Sequence, residues 1–548
     1  MDTFKAFVCF IFIAFCVNGS YGSIAYVVNP GPMVQATKGE IWPKPKTQTI
    51  GETFYTVRPK VLKFEVVTNY TCEILEKAIK RYIRIISSTK DRRKHNRSKS
   101  RHSTSHIDTM SWQTDPFYEG NLDFVKIRLT NECEQYPSLQ MDESYSLSLN
   151  DQMGIIESQS IWGILRGLES FSQMLVLTED RMTFRVNTTE IFDEPRYPHR
   201  GLLLDTSRHY INVFTIMQIL DGMTYNKLNV LHWHIVDDQS FPYQSKAFPE
   251  LSNSGAYDQS LVYTQKDVVK VIEHARYRGI RVMVEFDTPG HTRSWGISHP
   301  EILTSCGGQL SGQLGPINPT VNASYEFMEK LLREIVEVFP DDYVHIGGDE
   351  VDFDCWKSNA EIGEYMTKNS VQNYQKLEEI YIQRIVDTVH TLNASSVVWQ
   401  EVFENGVRLP NGTVVQVWTG NRQSLLQQIT KQGLPALLSS CWYLDHLQSG
   451  GDWKSFYGCD AADFAGTDEQ KKLVFGGEAC MWSEVVDNGN VLQRIFPRVS
   501  ATAEKLWSPY DVKDLDDAAR RLEEHTCRMK MRGLPAQPPN GAGFCLNN

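Results

Sequence analysis

The sequence lacks the features by which several large classes of protein are recognised. Its 548 residues contain no Cys-x-x-Cys pair, which argues against a structural zinc site. After Val17, no apolar run is long enough to span a membrane. The formal net charge is −12, so nucleic acid and acidic membranes are poor partners. No glycine-rich nucleotide loop is found, and no cofactor or metal is expected.

The N-terminus has the pattern of a secretory signal peptide. The apolar run Ala6–Val17 follows Lys5, and Ser20–Gly22 offers the small residues of a cleavage site. The run is too short for a membrane span. We therefore expect residues 1–22 to be removed and the mature chain to be soluble in the secretory pathway, in the lysosome first and with secretion as the alternative.

Cysteines and glycosylation sequons fit that compartment. Of the 11 cysteines, Cys9 and Cys16 lie in the leader, and the odd number left over requires at least one free thiol. We assign the free thiol to Cys480, which lies in an apolar run. Asn-x-Ser/Thr sequons, which predict N-glycosylation, occur at Asn69, Asn96, Asn187, Asn322, Asn393 and Asn411.

Residues 23–195 have the pattern of a smaller α+β domain. Short alternating segments predict strands, and helical spacing is found at Cys72–Ile86 and again after Ser158. The basic, serine-rich run Lys90–Arg101 favours a protease-sensitive loop over a polyanion-binding patch. The proline-containing stretch Asp193–His199 indicates the domain boundary.

From residue 196 to 548, short apolar strands alternate with helical segments. Strand candidates are Gly201–Leu204, Val230–Val236, Arg281–Phe286, Tyr343–Ile346, Ser396–Trp399, Val414–Val417, Ala436–Ser439 and Leu473–Gly476. Near-continuous apolar strands between helices indicate a parallel sheet, and eight such units over about 350 residues predict an α/β fold, the (β/α)8 TIM barrel. We expect this barrel to be the catalytic domain.

Such a barrel builds its active site from residues just past the C-terminal ends of its strands. Every predicted strand exit carries a carboxylate, an arginine or a tryptophan. In chain order they are Asp205 with Arg208 and His209, Asp237 with Asp238, Asp287 with His291, Asp349 with Glu350, Trp399 with Glu401, Trp418, Trp442 with Tyr443 and Asp445, and Trp482 with Glu484. Indole packs on the apolar face of a pyranose and charged groups bind its hydroxyls, so this set predicts a sugar pocket.

Asp349 and Glu350 are the candidates for catalysis. They follow a short apolar strand and two glycines within His345–Trp356. Like charges held a few ångströms apart do not ionise together easily, which favours one acid as a proton donor beside an anionic partner. Glycoside cleavage needs two carboxyl functions, so the pair fits a glycosidase. Taken by itself, the pair also fits a solvated surface turn.

Several segments together resemble the β-N-acetylhexosaminidases of glycoside hydrolase family 20, most strongly the animal lysosomal α and β subunits. They are His199–Tyr210, Asn229–Asp238, Glu285–Thr292, His345–Trp356, Val398–Glu401 and Gly476–Trp482. The resemblance spans essentially the whole mature chain. It implies a zincin-like first domain, a homodimer or a heterodimer with a related subunit, and removal of terminal β-linked GlcNAc or GalNAc from glycoproteins, glycolipids or chitin oligomers.

The resemblance also implies a retaining, substrate-assisted reaction in which the 2-acetamido oxygen is the nucleophile. Glu350 would protonate the leaving oxygen, and Asp349 would orient the acetamido group and stabilise an oxazolinium intermediate. The residues implied to bind or support the substrate are Arg208, Asp237, His291, Trp399, Trp418, Tyr443, Asp445, Trp482 and Glu484.

Within that set the implied roles differ. The three tryptophans would wall the acetamido pocket, and Tyr443 would donate its hydroxyl to the acetamido oxygen. Arg208 and Glu484 would hold the ring hydroxyls of a terminal sugar. Asp237 and His291 would form a relay that sets the acidity of Glu350. Five residues outside that set have less defined roles: Asp205 and His209 are expected to support Arg208, and Asp238, Asp287 and Glu401 to serve either the site or the fold.

Disulfides and substrate preference are the last expectations that the resemblance supplies. It implies the pairs Cys72 with Cys133, Cys306 with Cys355, and Cys527 with Cys545, whereas Cys441 and Cys459 either pair with each other or are free. In Trp442–His446, Asp445 favours neutral sugars because it would repel an anion. His446, cationic at acid pH, leaves sulfated substrates open.

Two other functions are weighed against this one. A metal-dependent hydrolase would use His232, His234, Asp287 and His291 as ligands. The two-residue period of a strand argues against it, because an Asp237 that faces the pocket would put His232 and His234 on the opposite face, against helices. A glycan-binding protein without catalysis would have lost its acid, but Glu350 is present.

Overall fold

The computed structural model describes residues 34–88, 112–178, 183–446, 451–543 and 545. The predicted signal peptide, the basic run Lys90–Arg101 and the sequon at Asn96 lie outside these residues. The described chain folds into an α+β domain followed by a closed barrel. Among its described helices, none is both long and apolar enough to cross a membrane.

The first domain is built on a mixed sheet. In chain order its strands are β1 (Thr47–Val57), β2 (Lys63–Val67), β3 (Tyr118–Asn121), β4 (Phe124–Leu129), β5 (Tyr145–Asn150), β6 (Met153–Ser158), β7 (Val176–Leu177) and β8 (Phe184–Asp193). They pair in the order β2-β4-β6-β5-β8-β1-β3, and β7 pairs with β8. Buried and exposed residues alternate along β4 and β5, as expected for a sheet that is covered on one face.

Two helices, Glu73–Ser88 and Ile161–Met174, pack with this sheet. The first buries a single stripe of side chains, the pattern of a helix with one face in the core. The second is buried all round because it lies between the sheet and the barrel. From within it, Arg166 Nη2 donates to the Gly279 carbonyl at 2.9 Å.

The second unit is a closed barrel of parallel strands, which confirms the predicted (β/α)8 fold. The strands that follow β8 are β9 (His199–Asp205), β10 (Val230–His234), β11 (Arg281–Glu285), β12 (Leu303–Ser305), β13 (Leu314–Ile317), β14 (Tyr343–His345), β15 (Ser395–Trp399), β16 (Val414–Val417), β17 (Ala436–Leu438) and β18 (Val474–Met481). The barrel runs β9-β10-β11-β14-β15-β16-β17-β18 and closes from β18 to β9, while β12 and β13 form a separate antiparallel pair.

Helices connect the barrel strands and extend beyond the last of them. They are Val213–Tyr225, Glu250–Gly255, Gln265–Arg276, Asn322–Val338, Phe353–Ser358, Ala360–Lys368, Tyr374–Thr391, Gln400–Glu404, Arg422–Lys431, Trp453–Tyr457, Asp468–Lys472, Val491–Ile495, Arg498–Trp507 and Leu515–Met531. Single 3-10 turns occur at Trp112–Thr114, Arg293–Ile297, Pro300–Ile302 and Gly308–Leu310. Side-chain caps from Asn212, Thr264 and Asn373 begin three of the helices.

The barrel interior is apolar at one level and charged at the next. A layer of Val230, Met283, Val397, Val414 and Leu437 packs at the N-terminal level of the strands. Above it, histidines and glutamates from several strands are buried against one another.

The predicted orientation of two of these histidines is wrong. His232 Nδ1 lies 2.8 Å from Glu478 Oε2, and His234 Nδ1 lies 2.5 Å from Glu285 Oε2, so both rings point into the barrel. The strand β10 ends at His234, and its two-residue period therefore does not extend to Asp237. Beyond the strand the chain turns, and the Asp237 carboxylate comes back to within 2.8 Å of His234 Nε2.

Buried ion pairs join the two domains. Glu143 in the first domain contacts Arg166 of the same domain at 2.7 Å and Arg200 of β9 at 2.6 Å. Lys227, in the barrel, contacts Asp193 at the end of β8 at 2.8 Å. All five side chains are almost completely buried, so the interface is sealed from solvent.

The cysteines of the described chain form four disulfides. They are Cys72–Cys133, Cys306–Cys355, Cys441–Cys459 and Cys527–Cys545. Cys480 is free and buried, as predicted. Of the predicted glycosylation sites that are described, Asn69, Asn322, Asn393 and Asn411 are exposed, and Asn187 is half-buried with its amide donating to the Gly51 carbonyl at 3.0 Å.

Candidate active site

A tight turn after β14 presents the two candidate acids. Gly347 and Gly348 have φ values of 69° and 101°, and a Cβ on Gly347 would lie 1.6 Å from the Asp287 carboxylate. Glycine is therefore required there. Glu350 has a φ of 49°, in the left-handed region that residues with a side chain adopt uncommonly. The turn thus holds Asp349 inward and leaves the Glu350 side chain 60 % exposed.

Asp287 and Asp349 form a like-charge pair at this turn. Burial and the neighbouring Asp349 carboxylate raise the pKa of Asp287 well above its ordinary value. Asp287 Oδ1 also accepts the Gly348 N–H at 3.0 Å, which fixes the turn. Among the described residues, Asp349 Oδ1 is buried without a hydrogen-bond partner. A buried acceptor of this kind calls for a donor from a bound molecule.

His291 stands between the acids and Asp237. Its Nε2 lies 3.8 Å from Asp349 Oδ2 and 3.6 Å from Glu350 Oε2, and its Nδ1 lies 3.2 Å from Asp237 Oδ1. Burial lowers the pKa of His291, but the surrounding carboxylates of Asp287, Asp349 and Asp237 raise it well above the ordinary value. The imidazole is therefore cationic and sits within reach of the exposed acid.

Four aromatic rings line the opposite side of the site. The ring centroids of Trp399 and Trp418 are 6.5 Å apart, those of Trp399 and Trp482 are 6.2 Å apart, and those of Trp418 and Tyr443 are 6.5 Å apart. Trp399 is buried against Leu203 and Cys480 of the barrel interior, so packed side chains close the inner end of the pocket.

Carboxylates fix two of the indoles. Trp399 Nε1 donates to Glu285 Oε1 at 2.8 Å, and Trp418 Nε1 lies 3.0 Å from both oxygens of Glu401. Burial and the charge of Asp349 raise the pKa of Glu401 to about 7. Of the two roles left open for Glu401, the structure shows support of a pocket wall.

Arg208 forms the rim beside Trp482. Its guanidinium contacts Asp205 at 3.0 Å and Asp237 at 2.7 Å, and it lies 3.9 Å from Glu484. Asp205 supports Arg208, as expected. The support expected from His209 stays a prediction. Its backbone N–H donates to Ser483 Oγ and its ring contacts the Ser483 carbonyl, while the Ser483 N–H donates to Asp205 at 3.1 Å.

Besides Tyr443, the segment after β17 contributes a core side chain, Trp442, and two side chains near the pocket, Asp445 and His446. Trp442 is fully buried, with Nε1 donating to the Phe456 carbonyl at 3.0 Å, and belongs to the core. Asp445 is half-buried, and its Oδ1 has no hydrogen-bond partner among the described residues. His446 is 65 % exposed, with Nε2 3.9 Å from Asp445 Oδ2 and its ring 5.4 Å from Tyr443.

Asp238 contributes to the loop and not to the pocket wall. Its Oδ1 accepts the backbone N–H of Arg293 at 2.9 Å. This contact joins the loop after β10 to the loop after β11, which carries His291.

Three groups of described residues are close enough to hold a metal ion. They are His232 with Glu285 and His345, Asp237 with Asp238 and His291, and Asp287 with His291 and Asp349. Burial lowers the pKa of His232, but the carboxylates of Glu478 and Glu285 raise it to about 9. A protonated imidazole has no lone pair for a metal. In this structure His232 is held by two carboxylates, at 3.0 Å from Glu285 and 2.8 Å from Glu478.

Glu285 was not predicted as a site residue, although its carboxylate contacts Trp399 and the three histidines His232, His234 and His345. Glu285 ends the strand segment Arg-Val-Met-Val-Glu. A glutamate at the end of a buried barrel strand could have indicated a polar cluster, because a buried charge requires partners. Nothing in the sequence states which partners those are.

Comparison with known proteins agrees with this geometry. The model of the glycosyl hydrolase family 20 catalytic domain matches residues 197–510, and a model described as beta-acetyl hexosaminidase like matches residues 41–174. The chain is 50 % identical over 425 residues to the human beta-hexosaminidase subunit beta, covering 77 % of this chain and 76 % of that protein. It is 45 % identical over 520 residues to the bovine beta-hexosaminidase subunit alpha, covering 92 % of this chain and 94 % of that protein.

Solved structures show the same fold. A Flavobacterium johnsoniae chitobiase of family 20 superposes with a TM-score of 0.77 at 26 % identity, over 90 % of this chain and 73 % of that one. A Vibrio harveyi exo beta-N-acetylglucosaminidase superposes with a TM-score of 0.75 at 23 % identity, over 93 % and 80 % of the two chains. The second likeness concerns the fold alone.

Proposed function

The chain belongs to glycosyl hydrolase family 20 and is an exo-β-N-acetylhexosaminidase, and from that premise we propose how its own residues divide the reaction. The observation that carries the proposal is the different placement of two adjacent acids. Asp349 is buried and faces the aromatic pocket, whereas Glu350 is exposed at its edge.

Glu350 acts as the general acid and then as the general base. Its carboxyl protonates the leaving glycosidic oxygen, and in the second step it takes a proton from the attacking water. His291, held by Asp237, places a positive charge 3.6 Å from Glu350 Oε2. This charge stabilises the carboxylate that forms when the proton leaves.

Asp349 positions the nucleophile that the substrate brings. The free Asp349 Oδ1 accepts the acetamido N–H, which directs the acetamido oxygen toward the anomeric carbon. Burial raises the pKa of Tyr443, so its hydroxyl stays protonated and donates to the acetamido oxygen. The walls of Trp399, Trp418 and Trp482 exclude water from the oxazolinium intermediate.

The rim explains why terminal sugars are removed. Arg208 and Glu484 bind hydroxyls at the non-reducing end, and Asp445 Oδ1 is a further buried acceptor for one of them. Because packed side chains close the inner end of the pocket, the polymer cannot continue beyond this sugar. The same closure favours exo cleavage over internal cleavage.

A Glu350→Gln variant tests the central assignment. Glutamine keeps the shape of the side chain but cannot donate a proton, so kcat on a β-linked GlcNAc disaccharide is expected to fall by about 10²–10⁴-fold. The affinity of the variant for a competitive inhibitor is expected to be retained. The measurement is steady-state hydrolysis together with calorimetric binding of the inhibitor. Unchanged turnover would refute the role of Glu350, whereas a wild-type chain that binds the inhibitor without any turnover would support the glycan-binding alternative.

Asp445 and His446 are expected to determine whether the enzyme prefers neutral or sulfated substrates. A sulfate at the 6-position would meet the Asp445 carboxylate, whereas the exposed His446 imidazole offers a compensating charge only when protonated. We propose neutral sugars as the preferred substrates. Turnover of 6-sulfated and unsulfated GlcNAc at acid pH is the test, and a sulfated-to-unsulfated ratio above one would overturn the preference.

We further propose a lysosomal location and a dimer. The signal-like N-terminus and the sequons support the secretory pathway. Relatives named as subunits alpha and beta support pairing with a second copy or with a related chain. A kinetic panel of N-glycan antennae, glycolipids and chitin oligomers will identify the physiological substrate class, and analytical ultracentrifugation of the purified chain tests self-association.

A further inference from the structure

A chain of alternating imidazole and carboxylate side chains runs through the barrel beneath the active site. From His291 it passes to Asp237, then to His234 at 2.8 Å, to Glu285 at 2.5 Å, to His232 at 3.0 Å, to Glu478 at 2.8 Å and to His199 at 2.6 Å. All members below His291 are buried. The reaction described above uses only the first two.

Glu285 differs from the other members because its two oxygens face different parts of the site. Oε1 accepts the N–H of Trp399, the indole at the inner end of the acetamido pocket, at 2.8 Å. Oε2 contacts His234, which holds Asp237 on its other nitrogen. One carboxylate thus contacts both the wall that receives the acetamido group and the chain that ends beside the acid.

We propose that Glu285 is a positioning residue that joins the acetamido pocket to the proton-donor side of the site. Its Oε1 fixes the plane of the Trp399 indole. Its Oε2 holds the His234 ring in the orientation that presents Nε2 to Asp237. The proposal rests on the function proposed above and adds a residue that does not touch the sugar.

The charges support this arrangement. Burial would raise the pKa of Glu285, but the three histidines around it, His345, His234 and His232, lower it well below its ordinary value. Burial would likewise lower the pKa of His234, and Glu285 with Asp237 raises it instead. An ionised Glu285 thus accepts from both His234 and Trp399, whereas a glutamine would present an N–H to one of them.

The test compares Glu285→Gln with Glu478→Gln in the full-length enzyme. Glu478 is a matched control because it is also a buried barrel glutamate bonded to two histidines, His199 and His232, but it contacts neither Trp399 nor His234. The substrates are the 4-nitrophenyl and phenyl β-N-acetylglucosaminides, which differ in how much the leaving oxygen needs a proton. The inhibitor is a bicyclic thiazoline that mimics the oxazolinium ion.

For Glu285→Gln we expect two changes together. Turnover of the phenyl glycoside falls at least about tenfold more than that of the 4-nitrophenyl glycoside, because protonation is impaired. Thiazoline affinity also falls at least about tenfold, because the Trp399 wall is no longer fixed. In Glu478→Gln, the substrate ratio and the thiazoline affinity stay within about twofold of wild type.

Other results overturn the proposal in recognisable ways. If Glu285→Gln loses only thermal stability, Glu285 is a core residue without a positioning role. If Glu478→Gln shows the same changes in substrate ratio and thiazoline affinity, these changes come from the whole chain of histidines and carboxylates and not from Glu285. If Glu285→Gln does not fold, Trp399→Phe and His234→Phe remove the two contacts singly. An unchanged thiazoline affinity in Trp399→Phe, or an unchanged substrate ratio in His234→Phe, then overturns it. A wild-type enzyme inactive on both glycosides would instead refute the proposed function.

Discussion

Single charged side chains in this enzyme are controlled by their neighbours more than by solvent. Behind the active site, Glu378 is buried; its Oε2 accepts from Asn405 at 3.0 Å, while its Oε1 has no hydrogen-bond partner among the described residues. Burial first, and then the charges of Glu401 and Asp349, raise the pKa of Glu378 to about 8. At acid pH the residue is a neutral carboxylic acid.

That protonation makes stability depend on pH. In the unfolded chain Glu378 ionises near its ordinary value of 4.5, so its contribution is fully present below that pH and is lost as pH rises toward about 8. Glu378→Gln imitates the neutral acid and avoids this loss. We expect the variant to melt about 2 °C or more above wild type at pH 7.5 and at nearly the same temperature at pH 4.5.

Thermal unfolding at the two pH values provides the measurement. Glu364→Gln serves as the control, because Glu364 is exposed on the helix Ala360–Lys368 and its substitution removes a carboxylate without burying anything. An equal effect of both variants at pH 7.5 would show that net charge, and not the buried position, is responsible.

At this scale the sequence predicted which residues form the site but not how they pair. Asp349 and Glu350 are adjacent in the chain, and simple electrostatics made them the like-charge pair. In the structure Asp349 also meets Asp287, which follows a different strand, and this pairing was not predicted. Pairing across strands depends on side-chain direction after the strand ends, and a strand's two-residue period carries no information there.

At the scale of elements, strands place the chemistry and loops shape it. The strand-helix alternation predicted every barrel strand, because apolar strands between helices have few other arrangements. The bounds were less well predicted: β10 ends at His234 rather than Val236, and β18 continues to Met481 rather than ending at Gly476. The extension includes Glu478, whose charge is compensated by His199 and His232.

The loop between Cys441 and Cys459 carries Tyr443 and Asp445 to the pocket. Backbone bonds hold its start, with Leu444 N–H donating to the Cys480 carbonyl and Cys480 N–H donating to the Trp442 carbonyl, both at 2.8 Å. The disulfide holds its two ends together. Because both of these proposed sugar contacts lie between the cysteines, the bridge is expected to limit how far they move.

Removal of this bridge is expected to weaken substrate binding as well as stability. In Cys441→Ser/Cys459→Ser, the free energy of unfolding falls by about 3 kcal/mol or less, as for a loop of this length. KM rises, while kcat is reduced less because the acids lie on another loop. The bridge Cys72–Cys133 is the control, since it lies in the first domain, and its double serine variant should lose stability with KM unchanged. Equal KM values in all three enzymes would contradict the role of the loop.

At the scale of the whole molecule, the two domains act as one folded unit. Glu143 accepts from two guanidiniums, one in its own domain and one in the barrel, and also from the Asn229 amide at 3.1 Å. No sequence pattern predicted this contact, because a glutamate between two short strands has the composition of a surface loop. The domain order could be predicted from strand and helix patterns, but the buried charges between the domains could not.

Truncation of Glu143 is therefore expected to affect the whole protein. Glu143→Ala leaves Arg166 and Arg200 buried without their shared partner, which costs about 3–5 kcal/mol of unfolding free energy. Denaturant unfolding followed by fluorescence measures the loss. Asp123→Ala breaks the exposed pair with Arg58 and is expected to cost about 1 kcal/mol or less. Similar losses of unfolding free energy in the two variants would show that the buried charges at the interface stabilise the fold no more than an exposed ion pair does.

The closed inner end of the pocket also has a kinetic consequence. Packed side chains beneath Trp399 mean that sugar enters and leaves on the same side. After cleavage the shortened glycan lies between the bound monosaccharide and solvent, so it departs first, and the enzyme must then meet a chain end anew. We therefore expect distributive trimming: a population of oligomers offered as substrate shortens together, one residue per encounter, instead of single chains being consumed to completion.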